Sequence, residues 1–279
     1  MDLSVVIVNW NSGDHLGRLL DSLSPLQEEL KETWVVDNAS RDSSLEGFEN
    51  DPTVRVLALT ENLGFAGAAN EAISRSDSSF ILLLNPDIQI IPESVKQLYQ
   101  EMESRPRAGI VCGSLRDPEG KPQSSFQIRP LPTWWNVLSD VLFIDELKEW
   151  VFGTSRSCPS DDQIRKLVSE QPAAAAWLLR KDAWKELEGF DERFYPAWFE
   201  DVDFCRRMQD STWEVFHCPH LPFIHQGGLA LKQLNYSTFI RFFYENLLKY
   251  LKKHHPHSYP LLWLPVQSGM WVRKLFVRR

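Results

Sequence analysis

Short, continuous runs of apolar residues alternate with segments of helical periodicity along the first half of the chain. The apolar runs lie at 3–8, 34–36, 54–59, 80–84 and 109–112, and the helical patterns at 15–23, 64–75 and 92–104. Continuous apolar strands that alternate with helices are typical of a parallel sheet covered on both faces. The pattern therefore predicts an α/β fold with a Rossmann-like, mostly parallel central sheet flanked by helices.

The second half of the chain is less regular at first and then returns to clear periodicity. Residues 114–171 are rich in Pro, Trp and charge, and we interpret them as insertions over the edge of the sheet. Trp134 and Trp135 within them are expected to pack into a core, with acceptor binding as the alternative. The later pattern predicts strands at 173–179 and 213–216, and helices that begin at Lys181 and near Phe199 and that span 236–253.

Polar residues stand where three of the predicted strands end. Asn9 follows the first strand, Asp37 follows the second, and Asn85 with Asp87 follows the strand at 80–84. In open α/β sheets, ligands bind outside the carboxyl ends of the strands. Polar residues also end strands routinely, but three such ends converging on one edge favour a binding site.

The bulk composition narrows the function and the compartment. The 279 residues are 43% hydrophobic and 24% charged, and the net charge of −8 argues against a nucleic-acid binder. The four cysteines are far apart, which indicates free thiols in a reducing cytoplasm. No apolar run approaches the roughly 18–20 residues needed to cross a bilayer. We therefore expect a cytoplasmic protein.

Three carboxylates are crowded into one short segment, at Glu200, Asp201 and Asp203. Such carboxylates repel one another unless a metal, a proton or a basic group compensates. Acidic residues are also common at a helix start, where the helix dipole stabilises them. The aromatic neighbours of this segment favour the other interpretation, a general base held in an apolar frame.

Two further motifs carry candidate chemistry. Asp87 at the tip of a buried strand suits a hard divalent cation that bridges phosphate oxygens, although Asn-Pro-Asp is also an ordinary turn. His225 precedes two glycines that would let the backbone approach a phosphate closely. A lone histidine is more often a packed or capping residue than a ligand.

The order of these pieces resembles the family 2 glycosyltransferases with the GT-A fold, and most of all their bacterial rhamnosyltransferase-like branch. Five motifs carry the resemblance, which spans roughly residues 3–255: VVIVNWN from Val5, VDNAS from Val36, NLGFA from Asn62, LNPD from Leu84, and GFDE from Gly189 with FEDVD from Phe199. The resemblance implies an inverting, metal-dependent transferase. It also implies a GT-A domain over 1–235, with a nucleotide-binding half at 1–113 and an acceptor and catalytic half at 114–235. A C-terminal helical extension and tail would follow at 236–279.

The resemblance also implies a role for each matching residue. Asp201 matches the base that deprotonates the acceptor hydroxyl, with Glu200 and Asp203 as supporting carboxylates. Asp87 matches the last Asp of the family's DxD motif, which holds Mg²⁺ or Mn²⁺, and His225 matches a position that completes the metal or phosphate site in some relatives. The residues that match the nucleotide-binding positions are Asn9, Asp37, Asn62, Gly64 and Asn85.

One departure from the family pattern affects the metal. Asn85 stands where DxD has its first Asp, so one negative charge is missing and the nucleotide-sugar is expected to contribute ligands through its own phosphates. The donor is expected to be a dTDP- or UDP-sugar, such as dTDP-rhamnose, and the acceptor a glycan or lipid-linked glycan used for cell-surface polysaccharide.

Three other functions remain as alternatives. A nucleotidyltransferase that makes nucleotide-sugars should show a Gly-rich phosphate loop after the first strand, and residues 9–13 (NWNSG) do not form one. A dinucleotide-dependent oxidoreductase would need G-x-G-x-x-G there, which is also absent. A nucleotide- or glycan-binding module without catalysis is the third alternative, against which Asp87 and Asp201 argue.

The C-terminal tail is basic and aromatic. From Lys249 to Arg279 the chain has seven Lys or Arg residues and no Asp or Glu. This composition suits contact with anionic lipid at the inner face of the cell membrane. Packing on the domain or on a partner subunit is the alternative.

Overall fold

The computed structural model describes residues 1–49, 51–123, 128–142, 170–228 and 233–276, with side chains as far as Lys274. Ten strands are described: β1 (Leu3–Asn9), β2 (Glu32–Asp37), β3 (Arg55–Ala58), β4 (Phe80–Leu84), β5 (Ile88–Gln89), β6 (Ala108–Arg116), β7 (Ile128–Arg129), β8 (Gln171–Pro172), β9 (Ala176–Arg180) and β10 (Glu214–His225). The α-helices are α1 (His15–Leu23), α2 (Gly64–Arg75), α3 (Pro92–Ser104), α4 (Trp134–Val141), α5 (Lys181–Glu186), α6 (Glu200–Gln209), α7 (Tyr236–His254) and α8 (Tyr259–Phe276).

Eight strands form one sheet in the order β3-β2-β1-β4-β9-β6-β10-β5, and β7 pairs with β8 in a separate ribbon. The pairs β2–β3, β1–β2, β1–β4 and β6–β10 are parallel. The strand predicted at 173–179 is present as β9, but it runs antiparallel to both of its neighbours, β4 and β6. The central sheet is therefore mixed at β9 and parallel on the side of β1 to β4.

Two apolar layers cover the sheet, as the continuous apolar strands predict. β1 is buried at every position, because alternate side chains enter opposite layers. Val5 and Ile7 pack in the layer of α1 and α3, whereas Val6 and Val8 pack in the layer of α2, α6 and α7. Cys112, Cys205 and Cys218 are free and buried, and Cys158 lies outside the described residues.

The tail forms a helix that the sequence analysis did not assign. α8 contains Pro265, a residue that usually argues against a helix interior. Its residues Leu262, Val266 and Met270 are buried in the same layer as Val137 and Val141 of α4. Burial of this face explains why α8 persists despite the proline. None of the helices in the described ranges has the length and apolar character to span a bilayer.

The antiparallel course of β9 determines what surrounds the carboxyl edge of the sheet. The amino end of β9 lies beside the carboxyl end of β4, and Asn85 N donates a hydrogen bond of 2.9 Å to Ala175 O. The ribbon strand β8 ends just before this point, at Pro172. Residues from the irregular middle of the chain therefore reach the same edge as Asn9, Asp37 and Asp87.

Candidate active site

A cavity of about 530 Å³ opens at this edge. Among the predicted site residues, those that line it are Asn62, Asn85, Asp87, Glu200, Asp201 and His225. Asn9, Asp37, Gly64 and Asp203 are not among its lining residues. The structure thus brings the DxD-like turn, the histidine and two of the three crowded carboxylates to one cavity.

Asn9 and Asp37 form a buried polar cluster next to the cavity. They stand opposite each other in the β1–β2 register, and Asn9 Nδ2 donates to Asp37 Oδ1 at 2.8 Å. Asn9 also donates to Ser44 Oγ at 2.9 Å, and Ser40 N donates to Asp37 Oδ2 at 3.1 Å. These bonds fix the turn after β2 and hence the position of Asn38, which does line the cavity.

Asn38 connects the ends of β2 and β3 to the start of α2. Its Oδ1 accepts a 2.8 Å bond from Leu63 N, and its Nδ2 donates to Asn62 Oδ1 at 3.2 Å. Gly64 begins α2 with φ of +74°, and a Cβ there would lie 2.8 Å from Pro196 O. Glycine is therefore required at this position by both its backbone angle and its closest neighbour.

Asp87 and His225 form one wall of the cavity, with Asp87 Oδ1 3.6 Å from His225 Nε2. Gln123 fixes the tautomer of this histidine. Because Gln123 Nε2 donates to His225 O at 2.7 Å, its Oε1 is the amide atom that meets His225 Nδ1, also at 2.7 Å. Nδ1 thus carries the proton, and Nε2 presents a lone pair toward Asp87.

The charge state of His225 agrees with this arrangement. Burial lowers the pKa of the His225 imidazole, and the nearby Asp87 only partly opposes that effect. A neutral imidazole beside a buried carboxylate is a donor set that divalent transition metals accept. Within the described ranges, no three His, Cys, Asp or Glu side chains cluster as a complete metal site. The two side chains fit a cation that also takes ligands from a bound substrate.

Glu200 and Asp201 occupy the first turn of α6, on the cavity wall where Arg129 and Gln171 also lie. Burial, and then the charge of Asp201, raise the pKa of Glu200 well above its ordinary value. Glu200 Oε2 is buried and has no hydrogen-bond partner among the described residues. Both causes, burial and the charge of Asp201, favour the protonated form of Glu200.

Asp201 has the partners that Glu200 lacks. Gln171 Nε2 donates to Asp201 Oδ2 at 3.2 Å, Arg129 Nη2 lies 4.0 Å from the same oxygen, and Val202 N donates to Oδ1 at 2.8 Å. Burial raises the pKa of Asp201, while Arg129 and these donors oppose the rise. Of the two carboxyl groups, Asp201 therefore has the surroundings that better stabilise the ionised form.

The backbone before α6 is held in a strained conformation. Trp198 and Phe199 have φ of +72° and +77°, a region that bulky residues rarely adopt. Asn246 of α7, fully buried, donates from Nδ2 to the carbonyl oxygens of Tyr195, Ala197 and Trp198 at 2.9–3.2 Å. The Phe199 ring packs on Tyr250 at 5.8 Å between centroids. Several contacts from α7 thus hold the loop that positions Asp201 in this conformation.

Asp203, predicted as a supporting carboxylate, lies away from the cavity on the side of α6 that faces α7. It is fully buried and contacts Arg207 Nε at 2.8 Å, Lys253 Nζ at 2.6 Å and His254 Nε2 at 2.7 Å. Burial opposes ionisation, but His254, Arg207 and Lys253 together lower the pKa of Asp203. Its contacts join α6 to α7.

Sequence reasoning missed Gln123, Arg129 and Gln171. All three lie in the irregular region 114–171, and none belongs to a motif that predicts its partner. Gln123 is 102 positions from His225, and Gln171 is 30 positions from Asp201. The sequence shows only that these residues are polar and lie in a Pro-rich segment, and such residues are too common to indicate a site.

Known proteins share both the sequence pattern and the fold. The sequence model of the Glycosyl transferase family 2 matches residues 4–160. The chain belongs to glycosyltransferase family 2. Sugar transfer in polysaccharide biosynthesis is the activity that this membership indicates.

Two curated relatives of this glycosyltransferase extend over nearly the whole chain. The N-acetylglucosaminyl-diphospho-decaprenol L-rhamnosyltransferase of Mycobacterium tuberculosis is 27% identical, with 96% of this chain and 86% of the relative aligned. The low-salt glycan biosynthesis hexosyltransferase Agl10 of Haloferax volcanii is 23% identical, with 100% and 86% aligned. The similarity to the rhamnosyltransferase agrees with the branch indicated by the motifs.

Solved glycosyltransferases share the fold. The mannosyltransferase PcManGT of Pyrobaculum calidifontis, in complex with GDP-Man and Mn²⁺, matches with a TM-score of 0.61 at 15% identity, over 96% of this chain and 69% of that one. S. aureus TarS 1-349 matches with a TM-score of 0.54 at 19% identity, over 93% and 74%. The fold is thus that of the GT-A glycosyltransferases, as the motifs predicted.

We expect Asp203→Asn to destabilise this glycosyltransferase, because it leaves Arg207 and Lys253 beside a neutral side chain. The free energy of unfolding at about pH 7 should fall by about 3 kcal/mol, as is usual when one partner of a buried ion pair is removed. The pKa of Asp203 is lowered by folding, so its contribution is complete above its unfolded pKa of about 4 and is lost as the pH falls through the folded value. The difference from wild type should therefore shrink in acid.

Urea unfolding at several pH values measures this effect. Asp210→Asn is the matched control, because Asp210 pairs with Arg206 on the same helix but is 56% exposed. Exposed pairs contribute at most about 1 kcal/mol. Equal losses in the two variants, or a loss for Asp203→Asn that does not depend on pH, would contradict the buried network.

Proposed function

We propose that the protein is an inverting, metal-dependent rhamnosyltransferase. It transfers rhamnose from dTDP-rhamnose to a hydroxyl of a lipid-linked glycan in the synthesis of a cell-surface polysaccharide. The proposal rests on one observation: two groups of polar residues line the same cavity. Asp87 and His225 form a cation-binding wall, and Asp201, with Arg129 and Gln171, forms a wall suited to a general base.

The donor assignment draws on the sequence relatives. The Mycobacterium tuberculosis relative is by name an L-rhamnosyltransferase with a diphospho-decaprenol acceptor, and it aligns with 96% of this chain. On the donor side, Asn62 lines the cavity beside Asn38, whose own amide is bonded to Asn62 Oδ1, Gly64 O and Leu63 N. The buried Asn9–Asp37 pair fixes the turn that carries Asn38. Such hydrogen-bonding groups suit a nucleoside base and ribose.

The chain's own residues supply most of the chemistry. Asp201, ionised and held by Gln171 Nε2 and Val202 N, accepts the proton of the acceptor hydroxyl as its oxygen attacks the anomeric carbon. Attack from the face opposite the leaving diphosphate inverts the configuration, so no carboxylate needs to bond covalently to the sugar, in contrast to a retaining glycosidase. Burial and the charge of Asp201 favour the protonated form of Glu200, which reduces the negative charge beside the incoming oxygen.

A divalent cation completes the donor side of the proposal. Asp87 Oδ1 and His225 Nε2 would hold Mg²⁺ or Mn²⁺, with Asn85 replacing the first acidic residue of the motif. The cation, when bound, neutralises charge on the departing diphosphate. Because the chain offers only this short ligand set among its described residues, we expect tight metal binding only when a nucleoside diphosphate is present.

The direct test is turnover of purified protein with a panel of nucleotide-sugars and a lipid-linked acceptor. We expect dTDP-rhamnose to release dTDP at a higher rate than UDP- or GDP-sugars, and the product linkage to have inverted configuration by NMR. Preference for another donor would overturn the donor assignment. Nucleotide binding without turnover of any donor would favour a binding module.

Asp201→Asn should abolish transfer and leave nucleotide binding nearly unchanged, because the amide cannot accept the acceptor proton and the side-chain contacts of Asp201 are with Arg129 and Gln171. Loss of a general base typically lowers the rate by about 10²–10⁴-fold. Turnover by kcat and dTDP affinity by calorimetry separate the two effects. Near-wild-type turnover would remove Asp201 from this role, and loss of dTDP affinity would place it on the donor side.

Gln123→Met should weaken Mn²⁺ binding, because it frees the His225 ring from the partner that fixes its tautomer. Loss of such a supporting hydrogen bond typically costs about 10–100-fold in metal affinity. Calorimetric titration of Mn²⁺ in the presence of dTDP measures it. Gln97→Met is the matched control, since Gln97 donates to the exposed Glu93 on α3 and is not a lining residue of the cavity. An unchanged affinity in Gln123→Met, with a lowered one in Asp87→Asn, would show that the Gln123 hydrogen bond does not support metal binding.

A further inference from the structure

Helices α4 and α8 expose a group of large apolar side chains, which we name the α4–α8 apolar surface. It consists of large, exposed apolar side chains, whose members are Trp134, Trp135, Leu142, Leu261, Leu264, Trp271 and Val272. Of the five large apolar residues that the described part of α8 exposes, the four in this group fall within an arc of about 100° on a helical wheel, and the fifth, Trp263, lies outside that arc. Leu262, Val266 and Met270, the residues buried in the core, lie on another side of the same helix. α8 is thus apolar on its inner face and on its outer face.

The two helices are in direct contact, so their exposed residues belong to neighbouring stretches of surface. A Cβ at Gly269 would lie 2.7 Å from Val141 Cγ1, which shows how closely α8 approaches α4. Arg273 Nη2 donates to Asp140 O at 2.8 Å and lies 3.5 Å from the Asp140 carboxylate. Leu142 follows this contact directly, and Trp134 with Trp135 begins the same helix, their rings 5.5 Å apart.

The described charged residues of α8, Arg273 and Lys274, are both basic. The whole chain has a net charge of −8, yet its last 31 residues from Lys249 contain no Asp or Glu. Asp140 of α4 pairs with Arg273, so these two charges balance and Lys274 supplies the positive charge of the described part of α8. Lys274 Nζ lies 6.0 Å from the centre of the Trp271 ring, at the end of the exposed apolar face.

Indole rings, branched aliphatic side chains and lysine together are the composition that binds at the interface of an anionic bilayer. We propose that the α4–α8 apolar surface docks the protein on an anionic lipid bilayer, without crossing it. The absence of a spanning helix among the described residues agrees with peripheral contact. A protein partner of matching chemistry would also need an acidic apolar surface, whereas a bilayer supplies both properties over any area.

The α4–α8 apolar surface lies near the cavity, so docking could bring a lipid-linked acceptor to it. This inference rests on the proposed function. Pro132 lines the cavity, and α4 begins two residues later, at Trp134. Phe242 and Phe243 of α7 line the cavity too, and Tyr244 of α7 lies 5.5 Å under the Arg273 guanidinium of α8. A bilayer against α4 and α8 would therefore hold a lipid-linked acceptor close to Asp201.

Vesicle sedimentation of the full chain tests the proposal. The probes are vesicles of phosphatidylcholine alone and of phosphatidylcholine mixed with phosphatidylglycerol. We expect clear binding to the mixed vesicles, weaker binding to phosphatidylcholine, and a loss of binding at high salt. The double variant Leu264→Gln/Trp271→Gln should lower the partition coefficient by about tenfold, from the apolar area withdrawn from the interface. Lys274→Gln should reduce the preference for anionic lipid.

Ile91→Gln is the matched control, because Ile91 is an exposed aliphatic residue at the start of α3, and it should partition like wild type. Far-UV circular dichroism and thermal unfolding confirm that each variant is folded. Equal sedimentation of wild type, the double variant and the control would overturn the proposal. So would light scattering that shows a wild-type dimer and a monomeric double variant, since the occupant would then be a second copy of the chain.

A kinetic comparison separates this proposal from the proposed function. With a water-soluble acceptor the double variant should turn over donor like wild type, whereas with acceptor in mixed vesicles its rate should fall in parallel with its binding. If wild type binds mixed vesicles but transfers no sugar, the docking surface stands and the proposed function fails. If wild type transfers sugar but does not bind vesicles, the proposed function stands and the docking surface fails.

Discussion

The architecture of the site depends on burying two adjacent carboxyl groups, Glu200 and Asp201, at the start of one helix. Two neighbouring negative charges in an apolar cavity repel each other. The protein therefore gives the two carboxyl groups different surroundings, which shift their pKa values differently. Asp201 receives Gln171, Arg129 and a backbone amide, while Glu200 Oε2 receives no hydrogen bond. The surroundings therefore favour the ionised form more at Asp201 than at Glu200, and this difference is what the proposed role of Asp201 as a base requires.

Maintaining that arrangement explains features that otherwise look unrelated. The strained backbone of Trp198 and Phe199 turns the chain so that α6 starts at the cavity, and Asn246 holds the three preceding carbonyl groups in place. Asp203, one turn away, attaches the opposite side of α6 to Lys253 and His254. α7 therefore helps to position Asp201, although it contributes mainly apolar side chains to the cavity wall itself.

Much of the fold followed from local patterns, and the differences have physical causes. Strands β1 and β4 and helices α1 to α3 were predictable because each has an uninterrupted period and clear ends. The direction of β9 was not, since an apolar run reads the same for parallel and antiparallel pairing. α8 was missed because Pro265 argues against a helix, and only tertiary burial of Leu262 and Val266 outweighs it.

Some residues of the candidate site could be predicted from the sequence and others could not. Residues such as Asp87 and Asp201 stood in recognisable motifs at strand or helix ends, so they could be proposed from sequence, and their roles remain predictions. Their supporting partners could not, because Gln123, Arg129 and Gln171 reach the cavity through folding of an irregular segment. Asp203 shows the converse case, in which three carboxylates close in sequence face different surroundings because consecutive helical positions point about 100° apart.

The close approach of Gly64 to Pro196 has a consequence for how the two sides of the cavity can move. Phe65 N donates to Pro196 O at 2.8 Å, so the start of α2 is bonded to the loop that precedes Asp201. A methyl group at residue 64 would collide with the same carbonyl, so the two segments are in close contact. A displacement of one segment must therefore be shared by the other, and the start of α2 and the loop before α6 form one mechanical unit.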